Sequence, residues 1–219
     1  MKPLNILLIG LGNMGKIHKR VIESNNNTNL IGVVDTSFKK KYEIKKGVKY
    51  YNNLKLIDFE SELIDAVVVA STTNSHYEIG KNILDLKLPL FIEKPISINK
   101  KEISTLLAKA KKQNIVFRAG LIEIYNPIFQ YIKELNLKDI ISIHIFRHSQ
   151  SISNNRNLEN VLFDLALHDV SILGYLFNNP ELKLMGSNFS YSNKSLETSD
   201  LLFKYKNANI FLSSSRQSQ

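Results

Sequence analysis

Residues 4–15 read LNILLIGLGNMG and place a glycine-rich loop directly after a continuous apolar run. An uninterrupted run such as residues 4–9 is typical of a strand that is buried on both faces of a parallel sheet. Residues 10–15 (the glycine loop) fit the pattern G-x-G-x-x-G, and residues 14–23 then have the periodicity of a helix. A strand, a glycine loop and a helix in this order predict the start of a nucleotide-binding α/β sheet.

An acidic residue at the end of the next strand strengthens this prediction. Residues 30–34 form a second apolar run, which ends in Asp35, 20 residues after Gly15. In the dinucleotide fingerprint, Gly10 permits the tight turn, Gly12 lets the backbone approach the pyrophosphate, and Gly15 lets the helix pack on the sheet. The acid accepts hydrogen bonds from the ribose and opposes a 2′-phosphate. The pattern predicts NAD; a plain glycine turn with a surface aspartate, or a flavin on the same fold, is the alternative.

The start of the predicted helix supplies the phosphate contacts. Backbone N–H groups around Asn13 and Met14 lack partners within a helix and, together with the helix dipole, favour an anion. Lys39 and Lys40 follow Asp35 closely, and a cation there would help to accommodate a 2′-phosphate. NADP therefore stays open as the less favoured cofactor.

The first half of the chain continues to alternate between strands and helices. The predicted strands cover residues 64–70, 90–93 and 115–120, and the predicted helices cover residues 77–86 and 99–112. This alternation is typical of a parallel α/β sheet. We therefore assign residues 1–120 to an NAD-binding Rossmann domain.

The second half, residues 121–219, has a different pattern. A helix is predicted from Pro127 to about residue 135 and a long apolar helix over 161–177, with a polar loop at 150–157; the strand-like runs are 140–148, 182–191, 200–205 and 208–213. Alternation in these runs suits an antiparallel sheet with one covered face. We expect a second α+β domain for substrate binding or oligomerisation, built on an open, mostly antiparallel sheet. Because the chain stops just after a strand pattern, this domain is expected to be truncated.

Composition argues against several other classes of protein. With 43% hydrophobic and 22% charged residues, the 219-residue chain has an ordinary globular composition. The absence of cysteine excludes disulfides, thiolate nucleophiles and cysteine-based zinc sites, and it suits a cytoplasmic protein. No apolar run approaches the roughly 18 residues that cross a bilayer, so no membrane association is expected.

The net charge of +9 raises the question of nucleic-acid binding. The cations are 24 Lys and 5 Arg, and there is no Trp, so the chain offers little for base readout or stacking. We expect no nucleic-acid partner, although the charge would steer anionic metabolites. The lysine-rich residues 39–49 are expected to form a solvated helix face.

A lysine lies at the edge of the predicted sheet where ligands bind. Glu93, Lys94 and Pro95 follow a predicted strand at its carboxyl end. Ligands of open α/β sheets bind at that edge, which places Lys94 near the nicotinamide if the glycine loop holds NAD. Pro95 restricts Lys94 to an extended backbone. An exposed lysine at a strand end is the plain alternative, and spacing alone favours it.

The long apolar helix carries a polar pair. Asp164 and His168 are four residues apart and so share one helix face. Polar groups in such surroundings must find partners or open onto a cavity, and a satisfied core histidine is the commoner outcome. Asp169 adds a second carboxylate. His144 and His148 alternate on one strand face without a third ligand, so no metal site is predicted.

Four motifs, in this order, resemble those of a known family. They are the glycine loop with Met14 and His18, residues 71–78 (STTNSHYE), the Glu93-Lys94-Pro95 turn and residues 164–169 (DLALHD). Over essentially its whole length the sequence resembles the glucose–fructose oxidoreductase, inositol dehydrogenase and MocA (Gfo/Idh/MocA) family of NAD(P)-dependent sugar and cyclitol dehydrogenases. Family members usually continue further, so the chain resembles a C-terminally shortened member.

One stretch is similar to a particular branch of that family. Residues 120–127 (GLIEIYNP) are similar to the GHIERFNP stretch of the UDP-N-acetylglucosamine 3-dehydrogenase branch. Leu121 replaces the His and Ile124 replaces the Arg of that stretch. If the Arg positions substrate in the branch, these departures bear on substrate identity.

The resemblance implies oxidation of a secondary hydroxyl of a sugar or nucleotide sugar, with the 3-position of UDP-N-acetylglucosamine as first candidate, by hydride transfer to nicotinamide. It implies that Lys94, His168 and Asp164 are catalytic, with Lys94 as general base or proton relay and His168 sharing or relaying the proton. It also implies that Asn126, Asp164 and His168 contact the substrate. The implied cofactor-binding residues beyond the glycine loop are Asp35, Ser71, Thr72, Asn74, His76, Glu93 and Lys94. An exposed sheet face would favour a homo-oligomer. The alternative functions are a noncatalytic NAD(P)-binding module, an inactive truncated relative, and a dehydrogenase of another sugar or cyclitol.

Overall fold

The computed structural model describes residues 2–135, 137, 139–149, 160–178, 180–192 and 195–217. The chain divides into two units, Met1–Gly120 and Leu121–Gln219. The loop predicted for residues 150–157 lies outside the described residues. Among the helices that the structure describes, none combines the length and the apolar character needed to span a membrane.

A seven-stranded sheet forms the centre of the first unit. Its strands are β1 (Leu4–Ile9), β2 (Thr28–Val34), β3 (Tyr42–Lys45), β4 (Val48–Tyr51), β5 (Ala66–Val69), β6 (Leu90–Ile92) and β7 (Phe117–Ala119). They lie in the order β3-β4-β2-β1-β5-β6-β7, and all neighbouring pairs are parallel except β3 with β4. The chain winds outward in both directions from β1, so the carboxyl ends of β1 and β5 form the switch point at which a Rossmann fold binds its ligand.

Helices cover both faces of this sheet and explain why residues 6–9 of β1 are all apolar. They are α1 (Asn13–Ser24), α2 (Thr73–Asp85) and α3 (Lys100–Lys112), with a short 3₁₀ turn at Leu54–Leu56. Ile6 and Leu8 pack into a core with Ile22 of α1. Leu7 and Ile9 point to the other face and join the core formed with α2 and α3. The residues of the strand from Ile6 to Ile9 are therefore buried on one side or the other, whereas Leu4 at its start is exposed.

The lysine-rich segment, residues 39–49, forms a β-hairpin rather than the predicted helix. Strands β3 and β4 pair in antiparallel register from Lys45 opposite Val48. The two residues between them, Lys46 and Gly47, have φ of 51° and 81°. Two consecutive positive φ values are those of a tight hairpin turn and are incompatible with a helix. The prediction was wrong because the charge pattern was given more weight than the glycine.

A four-stranded sheet forms the second unit. Its strands are β8 (Ser142–His148), β9 (Lys183–Ser192), β10 (Ser195–Tyr205) and β11 (Ala208–Ser215), in the order β8-β11-β10-β9. The pairings β9–β10 and β10–β11 are antiparallel, and β8 is parallel to β11. The helices are α4 (Pro127–Glu134) and α5 (Leu167–Leu176), with a 3₁₀ turn at Ile122–Tyr125. The predicted mixed, mostly antiparallel sheet is confirmed.

The predicted long helix over 161–177 begins irregularly. Leu162–Ala166 is a π-helical turn, in which the N–H of Leu167 reaches the carbonyl of Leu162, and α5 follows directly. Its apolar residues pack on one sheet face in a core that includes Leu173, Ile210 and Leu212. Short π-helical turns occur frequently at functional sites, and this one contains Asp164.

Candidate functional site

The glycine loop has the close backbone approach that the fingerprint requires. Gly10 has φ of +94°, and a Cβ on Gly15 would lie 2.1 Å from the carbonyl oxygen of Gly10. Gly12 caps α1 without a side-chain hydrogen bond, and a Cβ built on it meets nothing within 4 Å. The N–H of Lys16 donates to the carbonyl of Gly12, so the N–H groups of Asn13 and Met14, which precede it in α1, have no acceptor within the helix. That arrangement fits the pyrophosphate of a dinucleotide.

Asp35 lies against this loop. Its Oδ2 accepts a hydrogen bond from the N–H of Leu11 at 2.5 Å, and its Oδ1 accepts from the N–H and hydroxyl of Ser37 at 2.9 and 2.5 Å. Burial raises the pKa of Asp35, but the hydrogen bonds from Ser37 and Leu11 outweigh it and hold the pKa below its ordinary value. An ionised carboxylate beside the glycine loop fits a ribose with two free hydroxyls. Of the two nearby cations, Lys40 pairs with Glu43 at 2.8 Å and Lys39 is exposed.

The turn after β5 reaches the same edge of the sheet. The hydroxyls of Ser71 and Ser75 form a hydrogen bond of 2.8 Å, which links the turn after β5 to the first turn of α2. Thr72 is the N-cap of α2 without a side-chain hydrogen bond, and it is exposed, as is Asn74. Both are therefore available to a ligand at this edge.

His76 has a different environment from the one that its predicted cofactor contact implies. The ring is 1% exposed. Its Nδ1 lies 2.9 Å from the carbonyl oxygen of Pro95, and its Nε2 lies 3.0 Å from the carbonyl oxygen of Ser71. Its part in cofactor binding, as a residue that lines the cofactor edge, stays a prediction.

Residues 93–97, named here the lysine turn, follow β6 and hold Lys94 half-buried, with a cis bond between Lys94 and Pro95. Glu93 is 5% exposed, and its carboxylate is fully engaged. His18 Nε2 donates to Oε1 at 2.6 Å, and the N–H of Lys94 donates to Oε2 at 3.0 Å. Burial raises the pKa of Glu93, but the hydrogen bonds from His18 and Lys94 hold it below its ordinary value. A Cβ on Gly120 would lie 2.6 Å from Oε2, so the carboxylate also needs a glycine beside it.

One predicted substrate residue of the second unit, Asp164, belongs to an ion-pair network. Arg216 donates to Asp164 at 2.9 Å and lies 3.8 Å from Glu197. His168 is half-buried on α5. The network fixes the carboxylate of Asp164 at the π-helical turn. Whether Asp164 and His168 act together with Lys94 stays a prediction.

The carboxylate next to His168 has a structural partner of its own. Asp169 is 0% exposed, and its Oδ1 accepts from Arg147 at 2.8 Å. Arg147 also donates to Glu123 at 3.0 Å, which ties the turn at Ile122–Tyr125 to α5. The sequence reasoning missed Arg147 and Arg216. The sequence did contain a signal for Arg147: it alternates with Ile143 and Ile145 on the same face of β8, where a charged residue needs a partner.

Asn126 has a capping role that competes with its predicted substrate contact. Its Oδ1 accepts from the N–H of Ile128 at 3.1 Å, and Pro127 occupies the first position of α4. The amide nitrogen of Asn126 is the atom that would contact a substrate.

The histidine His148 on β8 forms a hydrogen bond of 2.8 Å with the hydroxyl of Ser213. Within the described ranges, no three His, Cys, Asp or Glu residues are grouped as a metal site requires.

Comparison with known proteins agrees with this geometry. The model of the Gfo/Idh/MocA family, described as an oxidoreductase family with an NAD-binding Rossmann fold, matches residues 4–121. The chain is 25% identical to myo-inositol 2-dehydrogenase of Thermotoga maritima over 79% of its length and 54% of that enzyme. It is 21% identical to UDP-N-acetylglucosamine 3-dehydrogenase of Acidithiobacillus ferrooxidans over 75% of its length and 51% of that enzyme. The chain thus spans about half the length of these curated relatives.

Solved structures share the fold of the chain. The structure of GenD2 from gentamicin A biosynthesis, in complex with NAD, superposes with a TM-score of 0.85 at 18% identity and covers 100% of this chain and 67% of that chain. At that identity the likeness concerns the fold alone. The family match, in contrast, includes the glycine loop, Asp35 and the lysine turn within residues 4–121, which is more than half of the chain. The protein is therefore a member of the Gfo/Idh/MocA oxidoreductase family.

Proposed function

We propose that the protein is an NAD-dependent dehydrogenase that oxidises a secondary hydroxyl of a sugar or nucleotide sugar. The observation that carries this proposal is the position of Lys94. It follows β6, which lies two strands from β1 and the glycine loop in the Rossmann sheet. Ligands of such sheets bind along this carboxyl edge, so an amine there would lie beside the reactive end of a dinucleotide.

The chain's own residues would supply binding and proton transfer. When bound, the nicotinamide supplies a hydride acceptor. Lys94 would take the proton of the substrate hydroxyl as the carbon bearing it loses a hydride, so that the alcohol becomes a ketone. His168 would relay this proton, and Asp164, held by Arg216, would orient the sugar. Asn126 would contact the substrate through its amide nitrogen.

The cofactor residues of the proposal share one edge of the first unit. The glycine loop and the start of α1 would hold the pyrophosphate, and Asp35 would hold the adenosine ribose. Ser71, Thr72 and Asn74 would line the turn after β5. The lowered pKa of Asp35 keeps it ionised near neutrality, which supports NAD over NADP.

The first candidate substrate is UDP-N-acetylglucosamine, oxidised at its 3-position. The similarity of residues 120–127 to that branch supports it, whereas Leu121 and Ile124 depart from the branch pattern. The two curated relatives described above are named for inositol and for UDP-N-acetylglucosamine. Inositol is therefore tested beside the nucleotide sugar as the substrate for comparison.

We also propose that the protein forms a homo-oligomer through the uncovered face of the second sheet. On this face Phe146 is 62% exposed and packs 5.9 Å from Phe211, with His144 beside both rings. Exposed aromatic clusters of this kind are typical of association surfaces. Sedimentation of the intact chain should show an oligomer that Phe146→Asp converts to a monomer; a wild-type monomer would contradict this.

The cytoplasmic location of the protein stays a prediction.

Formation of NADH tests the proposed activity. The intact chain is mixed with NAD and, in turn, UDP-N-acetylglucosamine, UDP-glucose, myo-inositol and free sugars. We expect NADH with at least one nucleotide sugar. Tight binding of NAD without NADH from any member of the panel would instead support the noncatalytic module.

A further inference from the structure

Two histidines from two different helices contact the residues on either side of Lys94. His18, on α1, donates to the carboxylate of Glu93 at 2.6 Å. His76, on α2, lies with Nδ1 2.9 Å from the carbonyl oxygen of Pro95. The backbone of Lys94 is therefore flanked by two anchored neighbours, and its own N–H is bound to Glu93 at 3.0 Å.

Both rings are themselves held in place. His18 packs edge-on against Phe91 with ring centroids 5.2 Å apart. The second nitrogen of His76 lies 3.0 Å from the carbonyl oxygen of Ser71. A neutral ring can donate to one of its two carbonyl partners, and a doubly protonated ring can donate to both. Because a buried polar group without its hydrogen bond is costly, neither ring can turn away cheaply.

The contacts connect Lys94 to both dinucleotide loops. The helix of His18 begins at the glycine loop, and His76 joins the lysine turn to Ser71 in the turn after β5. A rigid connection of this kind fixes the distance between the amine-bearing residue and both loops. Each histidine contacts one of the two neighbours of Lys94, so the pair holds the lysine turn on both sides of this residue.

We propose that His18 and His76 are positioning residues that set the place of Lys94 relative to the bound dinucleotide. This inference rests on the proposed function. Displacement of a reacting group by about 1 Å can lower a rate by roughly a hundredfold. The two histidines would therefore affect turnover without contacting substrate.

Matched substitutions separate each contact from the bulk of the ring. His18→Phe keeps a ring against Phe91 but has no donor, whereas His18→Gln places an amide N–H near the former Nε2. His76→Gln places its amide near the former Nε2, facing Ser71, and His76→Asn places its amide near the former Nδ1, facing Pro95. The controls are Arg20→Gln and Glu78→Gln, which change exposed residues on the same two helices.

The first readout needs neither cofactor nor activity. The apo protein is exposed to a trace of acetic anhydride, and acetylation of Lys94 is measured by mass spectrometry relative to exposed Lys100. Loss of one hydrogen bond should change this ratio by about fivefold in His18→Phe and His76→Gln. His18→Gln, His76→Asn and both controls should stay within about twofold of wild type.

The second readout separates positioning from stability. We expect His18→Phe and His76→Gln to lower kcat by about tenfold or more while the Kd for NADH changes by less than about threefold. Unchanged Lys94 acetylation in both variants, or equal effects of the paired substitutions, would overturn the proposal. If a His76 variant does not fold, the His18 pair decides. Normal turnover in Lys94→Ala would end the proposed function, but the acetylation result would still stand.

Discussion

Substitution of Gly15 by Ala should damage both the fold of the first unit and its cofactor site. The new Cβ would lie 2.1 Å from the carbonyl oxygen of Gly10. Cβ atoms in proteins essentially never lie closer than 3.0 Å to such an atom. Relief therefore requires a displacement of roughly 1 Å of either α1 or the loop. The loop cannot yield easily, because Gly10 itself packs against the backbone of Ala70.

The expected cost follows from this displacement. Overpacking against backbone lowers the free energy of unfolding by about 2–3 kcal/mol. Because the same movement disturbs the N–H groups at the start of α1, the affinity for NADH should fall by about tenfold or more. Urea unfolding of the apo protein measures the first quantity, and quenching or enhancement of NADH fluorescence measures the second.

Two glycines provide matched controls. A Cβ on Gly12 or on Gly186 meets nothing within 4 Å. Gly186→Ala should leave both quantities unchanged, and Gly12→Ala should keep stability to within about 0.5 kcal/mol. Gly12→Ala should nevertheless weaken NADH binding by about tenfold, because the methyl group occupies the space of the pyrophosphate. Wild-type stability in Gly15→Ala, or wild-type affinity in Gly12→Ala, would refute this account of the loop.

Three further perturbations have defined outcomes. Asp35→Ala should reduce the preference for NADH over NADPH and, by leaving the N–H of Leu11 unpaired, lower stability by about 1–3 kcal/mol; an unchanged preference in fluorescence titrations would reassign the ribose contact. Arg147→Ala should lower the free energy of unfolding by about 3 kcal/mol, since it leaves the buried Asp169 unpaired. The double variant Arg147→Met with Asp169→Leu should recover most of that loss in urea unfolding. Because the pKa of Glu93 is lowered in the folded state, its contribution is present near neutrality and lost as the pH falls through that lowered value. The stability difference between wild type and Glu93→Gln should therefore be constant from about pH 7 down to about pH 5 and shrink as the pH falls further below 4.5, the ordinary pKa of Glu. A difference that stays constant into the acid range would contradict the pairing with His18.

Local patterns were sufficient to predict most of the fold. The unbroken apolar run of β1 and the glycine loop identified the Rossmann start, since only a strand covered on both faces tolerates such a run. Pro127 marked the start of α4 through its preference for the first helical position, and apolar periodicity predicted α3. The hairpin at residues 42–51 was missed because the six lysines were interpreted as a helix face. The Lys46-Gly47 turn determines the structure instead.

The sequence predicted where the candidate residues lie in the fold better than it predicted their contacts. The edge positions of Lys94 and Asp35 follow from strand ends, which a sequence shows. The contact of His76 with the carbonyl of Pro95 and the contact of His18 with Glu93 join residues 19 and 75 positions apart. Pairings at such separations arise from tertiary packing, which no local pattern encodes. The π-helical turn around Asp164 was missed for a related reason, because its apolar periodicity resembles that of an α-helix.

The central claim is that Lys94 takes the proton of a sugar hydroxyl during NAD-dependent oxidation. The most direct measurement compares NADH formation by the wild type and by Lys94→Ala with the substrate on which the wild type is most active. We predict that turnover falls by about a hundredfold or more while the Kd for NADH stays within about threefold. Turnover by Lys94→Ala within a few-fold of wild type would contradict the claim.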